Sequence, residues 1–156
     1  MVVIFKALDS ETVAALRAGG VDSNGQLPER HVSDSKGNPC RHCLRDIEKG
    51  RHMLVLGHRP FRSLQPYAES GPIFLCADAC PRHADSDELP PVIASRPRFL
   101  VRGYTDDERI RYGTGGVVET VDMIDACERI FADPQVAFIH VRSVQNNCFF
   151  CRIERG

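Results

Sequence analysis

The sequence predicts a single α+β domain, with two helices on a mainly antiparallel sheet. Three observations predict it. The length of 156 residues is near the commonest size for one domain. Apolar runs of strand length outnumber stretches with helical periodicity. Most of the connections suit antiparallel neighbours, and no repeat or low-complexity tract interrupts them.

The elements follow in order. Residues 2–8 are rich in β-branched and aromatic side chains and read as a strand. Asp9 or Ser10 can cap a helix over 11–18 with Val13 and Leu16 inward, ended by Gly19-Gly20. Residues 19–39 hold Gly, Ser, Asn, Asp and Pro with only Val21, Leu27 and Val32 as large aliphatics, which predicts a long, mobile loop. Strands are expected at 52–57 and 73–76, separated by the turn 67–72. An acidic, Pro-bounded loop covers 77–91, and Val92–Ser95 makes one helical turn. Phe99–Tyr104 reads as a strand paired with Arg109–Tyr112, and Gly113, Gly115 and Gly116 mark another turn. A helix over 121–132 places Val121, Ile124, Cys127 and Phe131 on one face. Val136–Arg142 is a strong strand, and Phe149–Ile153 returns beside it as a hairpin.

Composition excludes some functions. Apolar residues make up 42% and charged residues 26%, an ordinary globular balance. Lys plus Arg number 20 against 21 for Asp plus Glu, and a net charge of −1 makes nucleic acid a poor default partner. No apolar run is long enough to span a membrane. Met1–Leu8 lacks a basic segment and runs directly into Asp9 and Glu11, unlike a secretory leader. A cytoplasmic, reducing location is therefore expected, in which seven cysteines are free thiols, metal ligands or a redox pair rather than disulfides. A chain of this size buries roughly 70% of its unfolded surface and needs no metal merely to fold.

The cysteines divide by context. Cys40 and Cys43 have the spacing of a zinc knuckle, although Leu44 stands where such knuckles often carry Gly. Arg41 and His42 would favour a thiolate, but the polar run 33–39 is not the buried strand that precedes a thioredoxin-like site. Cys76 ends an apolar strand and reads as a core thiol. Cys80, beside Pro81, is harder to explain by packing. Cys148 and Cys151 lie three apart and face opposite sides of a regular strand, so only Cys148 is a candidate. Cys127 fits the inward face of its helix. The expected metal set is therefore Cys40, Cys43, Cys80 and Cys148, enough for a closed zinc site.

His140 and Arg142 share a face at the end of an apolar strand; His140 reads first as a hydrogen-bonded structural residue and, alternatively, the pair can hold an anion. Arg96, Arg98, Arg102 and Tyr104 fall on one parity, read as a solvated strand face or, alternatively, as a small anion-binding patch that includes Arg102. Gly113-Thr114-Gly115-Gly116 lacks the Lys of a phosphate loop, and neither Gly-x-Ser-x-Gly nor His-Glu-x-x-His occurs.

From Cys40-Arg41-His42-Cys43-Leu44, through 66–74 to Cys80, and again from Ala137–Arg142 to Cys148, the chain resembles a bacterial family known only as domain of unknown function 1203. Cys40, Cys43, Cys80, His140, Arg142 and Cys148 are resembling positions; Cys76 and Cys151 lie outside the pattern, and Asn147 replaces a Gly. The resemblance implies no activity. Three readings remain open: a binding or structural module with a Cys-rich zinc site, a metal-free domain that engages a protein partner or forms a homodimer, and a thiol-redox protein or small enzyme using Cys40 and Cys43.

Overall fold

In a computed structural model describing residues 1–156, the chain forms two antiparallel sheets. The strands are β1 (Val3–Lys6), β2 (Glu29–Val32), β3 (His52–His58), β4 (Gly71–Cys76), β5 (Arg98–Tyr104), β6 (Gly116–Glu119), β7 (Phe138–Arg142) and β8 (Phe149–Arg155). The helices are α1 (Ser10–Arg17), α2 (Pro91–Ala94) and α3 (Met123–Phe131). The larger sheet has the order β1-β8-β7-β5-β6, and the smaller one β2-β3-β4. The smaller sheet is thus inserted in the chain between the first two strands of the larger. The α+β class is as expected, with a third short helix. No helix is long and apolar enough to cross a membrane.

Each sheet has its own core. One face of the large sheet supplies Val3, Phe5, Phe99, Val101, Ile139, Val141 and Ile153, packed with Met123, Cys127 and Phe131 of α3. The small sheet buries Met53, Leu54, Leu56, Ile73 and Leu75 against Val13 and Leu16 of α1. Asp9 caps α1, its carboxylate accepting the Thr12 N–H at 2.7 Å.

Some expectations need correction. Residues 19–39 contain β2, which pairs with β3 although all four of its side chains are exposed; backbone pairing, invisible to an apolar pattern, holds it. Asp22 further ties this segment down by accepting the Gly57 N–H at 2.8 Å. Arg109–Tyr112 is not a strand: β5 pairs with β6 and β7, and only a Tyr104–Ile110 bridge remains. α3 is rotated from the expected face. A 3-10 turn over Thr120–Asp122 precedes it, so Met123, Ala126, Cys127 and Phe131 point inward while Val121 is 92% exposed.

The second face of the large sheet carries Tyr104, Arg102, Phe138, His140 and Arg142, by the register Tyr104–Phe138 and Arg102–His140. It is not solvated. The β3–β4 connection crosses it and inserts Phe61 beside Tyr104 and His140. The buried Glu108 carboxylate fixes that connection by accepting the Arg62 N–H at 2.9 Å. A bulge between β7 and β8 opposes Val141 to Cys151 but Arg142 to Phe149. Phe150 and Cys151 therefore both enter the large core, while the Phe149 ring lies 4.9 Å from His140.

Candidate functional site

The tight turn between Pro39 and Asp46 builds the first site. Leu44 N–H donates to the Cys40 carbonyl at 2.9 Å, and Cys40 N–H to that of Arg45 at 3.0 Å. Leu44 adopts φ +52°, the left-handed conformation that usually selects Gly. Its side chain is nonetheless fully buried and belongs to the core of the large sheet. Burial there outweighs the backbone cost, which is why an aliphatic residue occupies a glycine place.

The turn brings Cys40 and Cys43 to the end of β4 and the segment after it. The Sγ atoms of Cys40, Cys43, Cys76 and Cys80 all lie within 4.8 Å of one another, with Cys40 and Cys80 3.9 Å apart. Tetrahedral zinc with bonds of about 2.3 Å places sulfurs roughly 3.8 Å apart. The Cys76 N–H donates to Cys40 Sγ at 3.3 Å. Arg17 Nη2 donates to Cys80 Sγ at 3.1 Å, while its Nε holds the Cys76 carbonyl at 3.0 Å. His42 Nδ1 lies 3.2 Å from Cys80 Sγ, and its Nε2 lies 2.9 Å from Ser10 Oγ. A thiolate at Cys80 fixes the tautomer: Nδ1 donates to sulfur and Nε2 accepts from the Ser10 hydroxyl.

Four adjacent thiols cannot share charge equally. Cys40 is drawn down to about 6 by hydrogen bonding with Cys43 and Cys76, and Cys80 is held well below the ordinary thiol range by Cys40, Cys43, Cys76 and His42. Cys43 and Cys76 are pushed up, each chiefly by Cys40. Ionising all four thiols together requires a compensating cation. A divalent soft metal meets that need, and Arg17 offsets part of the charge of a tetrathiolate complex.

Of the expected ligands, the structure brings together Cys40, Cys43 and Cys80 but not Cys148. The fourth thiol is Cys76. Ile73 and Leu75 face the small core, so Cys76 projects from the other side of β4, toward the knuckle. Cys148 lies on the 143–148 turn of the large sheet, where its N–H donates to Ser143 Oγ at 3.0 Å. Asn147, at φ +56°, occupies the left-handed position of that turn. Cys127 and Cys151 are core thiols pushed up by burial, Cys127 to about 12.

Cys148 instead lines a second concavity, about 180 Å³, between the sheets, walled by His58, Glu69, Pro72, Arg142 and Phe149. Arg142 is 4% exposed. Its Nη1 donates to the Asn147 carbonyl at 3.2 Å, but its Nε and Nη2 have no hydrogen-bond partner. Arg102 Nη2 reaches Glu69 Oε1 at 3.2 Å and Asn147 Oδ1 at 3.1 Å. His140 lies deeper, ringed by Tyr104, Phe149, Phe138 and Phe61 with centroids 4.7–5.2 Å away. Burial, then Arg142, Arg152 and Arg102, keeps it neutral well below the usual histidine range. Burial and the nearby Arg41 likewise lower His58 to about 4. His140, Arg142 and Arg102 therefore do share one face, but only Arg142 reaches the concavity.

Arg41 links the two sites. It is buried, donates to the Phe149 carbonyl and to that of Pro39, each at 2.7 Å, and stands 4.8 Å from the Phe150 ring centroid. Sequence reading passed over Arg17 and His58, because nothing in their spacing marks them, and gave Arg41 only as a neighbour that favours a thiolate and Glu69 only as part of the resembling run 66–74. For Cys76 the strand alternation of 73–76 was a usable signal.

No curated protein and no solved structure matches the chain. A family model does match, over residues 37–155, a span that holds all four clustered cysteines together with Arg142 and Cys148. The chain therefore belongs to the family described as protein of unknown function, DUF1203.

Proposed function

We propose that this protein is a small binding module whose Cys40, Cys43, Cys76 and Cys80 hold a structural zinc ion. The convergence of four sulfurs within 4.8 Å carries the reading. Closed four-sulfur sites are the structural rather than catalytic type, since no coordination position is left for water. The bound ion would supply charge neutralisation and cross-linking. The chain's own residues hold the geometry, with Arg17 and His42 donating to Cys80. A reducing cytoplasm would keep the thiols available to metal.

The burial of Cys40 and Cys43 favours this over thiol catalysis. A nucleophilic or redox thiol needs access to a reaction partner.

Metal analysis of tag-free protein, with cobalt as spectroscopic substitute, tests the reading. The expected result is one metal per chain, retained in Cys148→Ser and lost in Cys76→Ser. A content under about 0.2 per chain, or metal lost on Cys148→Ser but kept on Cys76→Ser, refutes it.

A further inference from the structure

The two sheets end in four strand edges, and three of them are covered or guarded. On β1 the Phe5 N–H donates to the Ser86 carbonyl at 2.8 Å. On β4 the Arg41 N–H donates to the Phe74 carbonyl at 3.1 Å. β2 lies open but carries Glu29, Arg30 and His31, and charged side chains discourage stray pairing at an edge. The edge at β6 has neither device. Its residues are Gly116-Val117-Val118-Glu119, and its one charge is tied to Arg98 of β5 at 3.2 Å.

The β5–β6 ladder fixes which backbone groups are free. Gly103 of β5 donates its N–H to Thr114 Oγ1, and its carbonyl accepts the Arg111 N–H, both on the β6 side. The Tyr104 carbonyl accepts the Ala137 N–H on the β7 side. By the two-residue period, Val101 and Phe99 therefore bond to their register partners Gly116 and Val118. Val117 directs both its N–H and its carbonyl into the open edge, where no turn or loop backbone bonds to either. Exposed apolar side chains gather at the same edge. Tyr112, just before the strand, is 72% exposed, Val117 57%, and Val121, just after it, 92%.

We infer that β6 pairs antiparallel with β6 of a second copy of the chain, about a two-fold axis at Val117, joining the two large sheets into one. A second copy fits because the edge is complementary to itself. Val117 of each copy donates its N–H to the Val117 carbonyl of the other, as a directly opposed hydrogen-bonded pair requires. The same register sets Gly116 opposite Val118 and Gly115 opposite Glu119, so no two like charges are opposed. The Val121 end of each strand meets the Tyr112 end of the other. A net charge of −1 per chain opposes the approach of two copies only weakly. Nothing in this inference rests on metal at the cysteines.

Sedimentation equilibrium of the full chain from about 5 to about 500 μM tests this, with amide hydrogen exchange measured at both ends of the range. A dimer with Kd below about 100 μM is expected. The Val117 amide should be protected at high concentration and exchange freely at low concentration. Val117→Pro removes the outward N–H, which no bond within one copy uses, and an edge position tolerates proline. It should weaken the dimer at least about tenfold. Val117→Lys sets like charges opposite each other on the axis and should do the same. Both variants should keep the circular dichroism of the parent protein. A chain that stays monomeric at about 500 μM overturns the inference, including one whose edge takes up an unrelated strand-forming peptide. So does a dimer in which the Val117 amide is unprotected, or one that a folded Val117→Pro or Val117→Lys protein forms with parental affinity.

Discussion

Leu44 sets two costs against each other, and substituting it separates them. Truncation to Ala leaves the backbone at φ +52° but empties a fully buried site in the core of the large sheet. Leu→Ala at such sites costs about 3–4 kcal/mol, combining lost transfer energy with a residual cavity. Leu44→Gly should differ little from Ala. It relieves roughly 1–2 kcal/mol of left-handed strain. It also forfeits about 0.8 kcal/mol for one further buried carbon. A more flexible unfolded chain removes another ~0.4–1 kcal/mol. The terms nearly cancel, so both variants should lie about 3–4 kcal/mol below the parent protein. Urea denaturation followed by circular dichroism measures this, in chelator and again with zinc, checking that the denaturant slope is unchanged. If Leu44→Gly matches or exceeds the parent protein, backbone strain rather than burial governs the knuckle and the reasoning fails. An Ala variant within about 1 kcal/mol of the parent would show that Leu44 is not a core residue in solution.

Acid should destabilise the fold through its neutral histidines. His58 and His140 are both depressed in the folded state, so below the unfolded value near ~6.5 the unfolded chain takes up protons that the folded chain refuses. The contribution of the two histidines is full above that pH and falls as pH drops toward 4, where His58 also protonates in the folded state, by up to about 1.4 kcal/mol per pH unit for each histidine. In chelator, His140→Phe should remove about half of this slope, and an unaltered slope would contradict it. Mass-mapped alkylation of the native chain at about pH 8 should label the half-exposed Cys148 well before Cys127 or Cys151. Cys127 and Cys151, buried and with raised values, should react only after denaturation. Native labelling of either at the rate of Cys148 would contradict their place in the core.

What could be read from the residues was what local pattern controls. Val13 and Leu16 of α1, and Phe99 and Val101 of β5, bury as their spacing requires, whereas β7 is buried on both faces. The knuckle at Cys40 and Cys43 was visible because its spacing is local. Cys76 was misassigned because an apolar run was treated as buried on both sides, whereas β4 turns one face to α1 and the other to the knuckle. Cys148 was misassigned because a turn position shows availability for binding and says nothing of distance to the other thiols. α3 was rotated because a 3-10 turn shifts the helical phase ahead of it. The unpaired nitrogens of Arg142 were beyond reach: an unpaired donor is defined by what surrounds it in space, and besides the adjacent 143–148 turn the concavity draws its walls from β3, β4 and the connection between them, distant in sequence.

The four residues after Cys40 are sent in different directions. Arg41 reaches the Phe149 carbonyl, His42 reaches Ser10 of α1, Cys43 joins the sulfur cluster, and Leu44 enters the opposite core. One short turn therefore fixes the attitude of the small sheet on the large one. The concavity at Arg142 has a wall from each sheet, so its width depends on that attitude. Any ligand that moved the sulfurs would move the facing wall of the cleft with them, and by reciprocity any change in the cleft would be felt at the sulfurs.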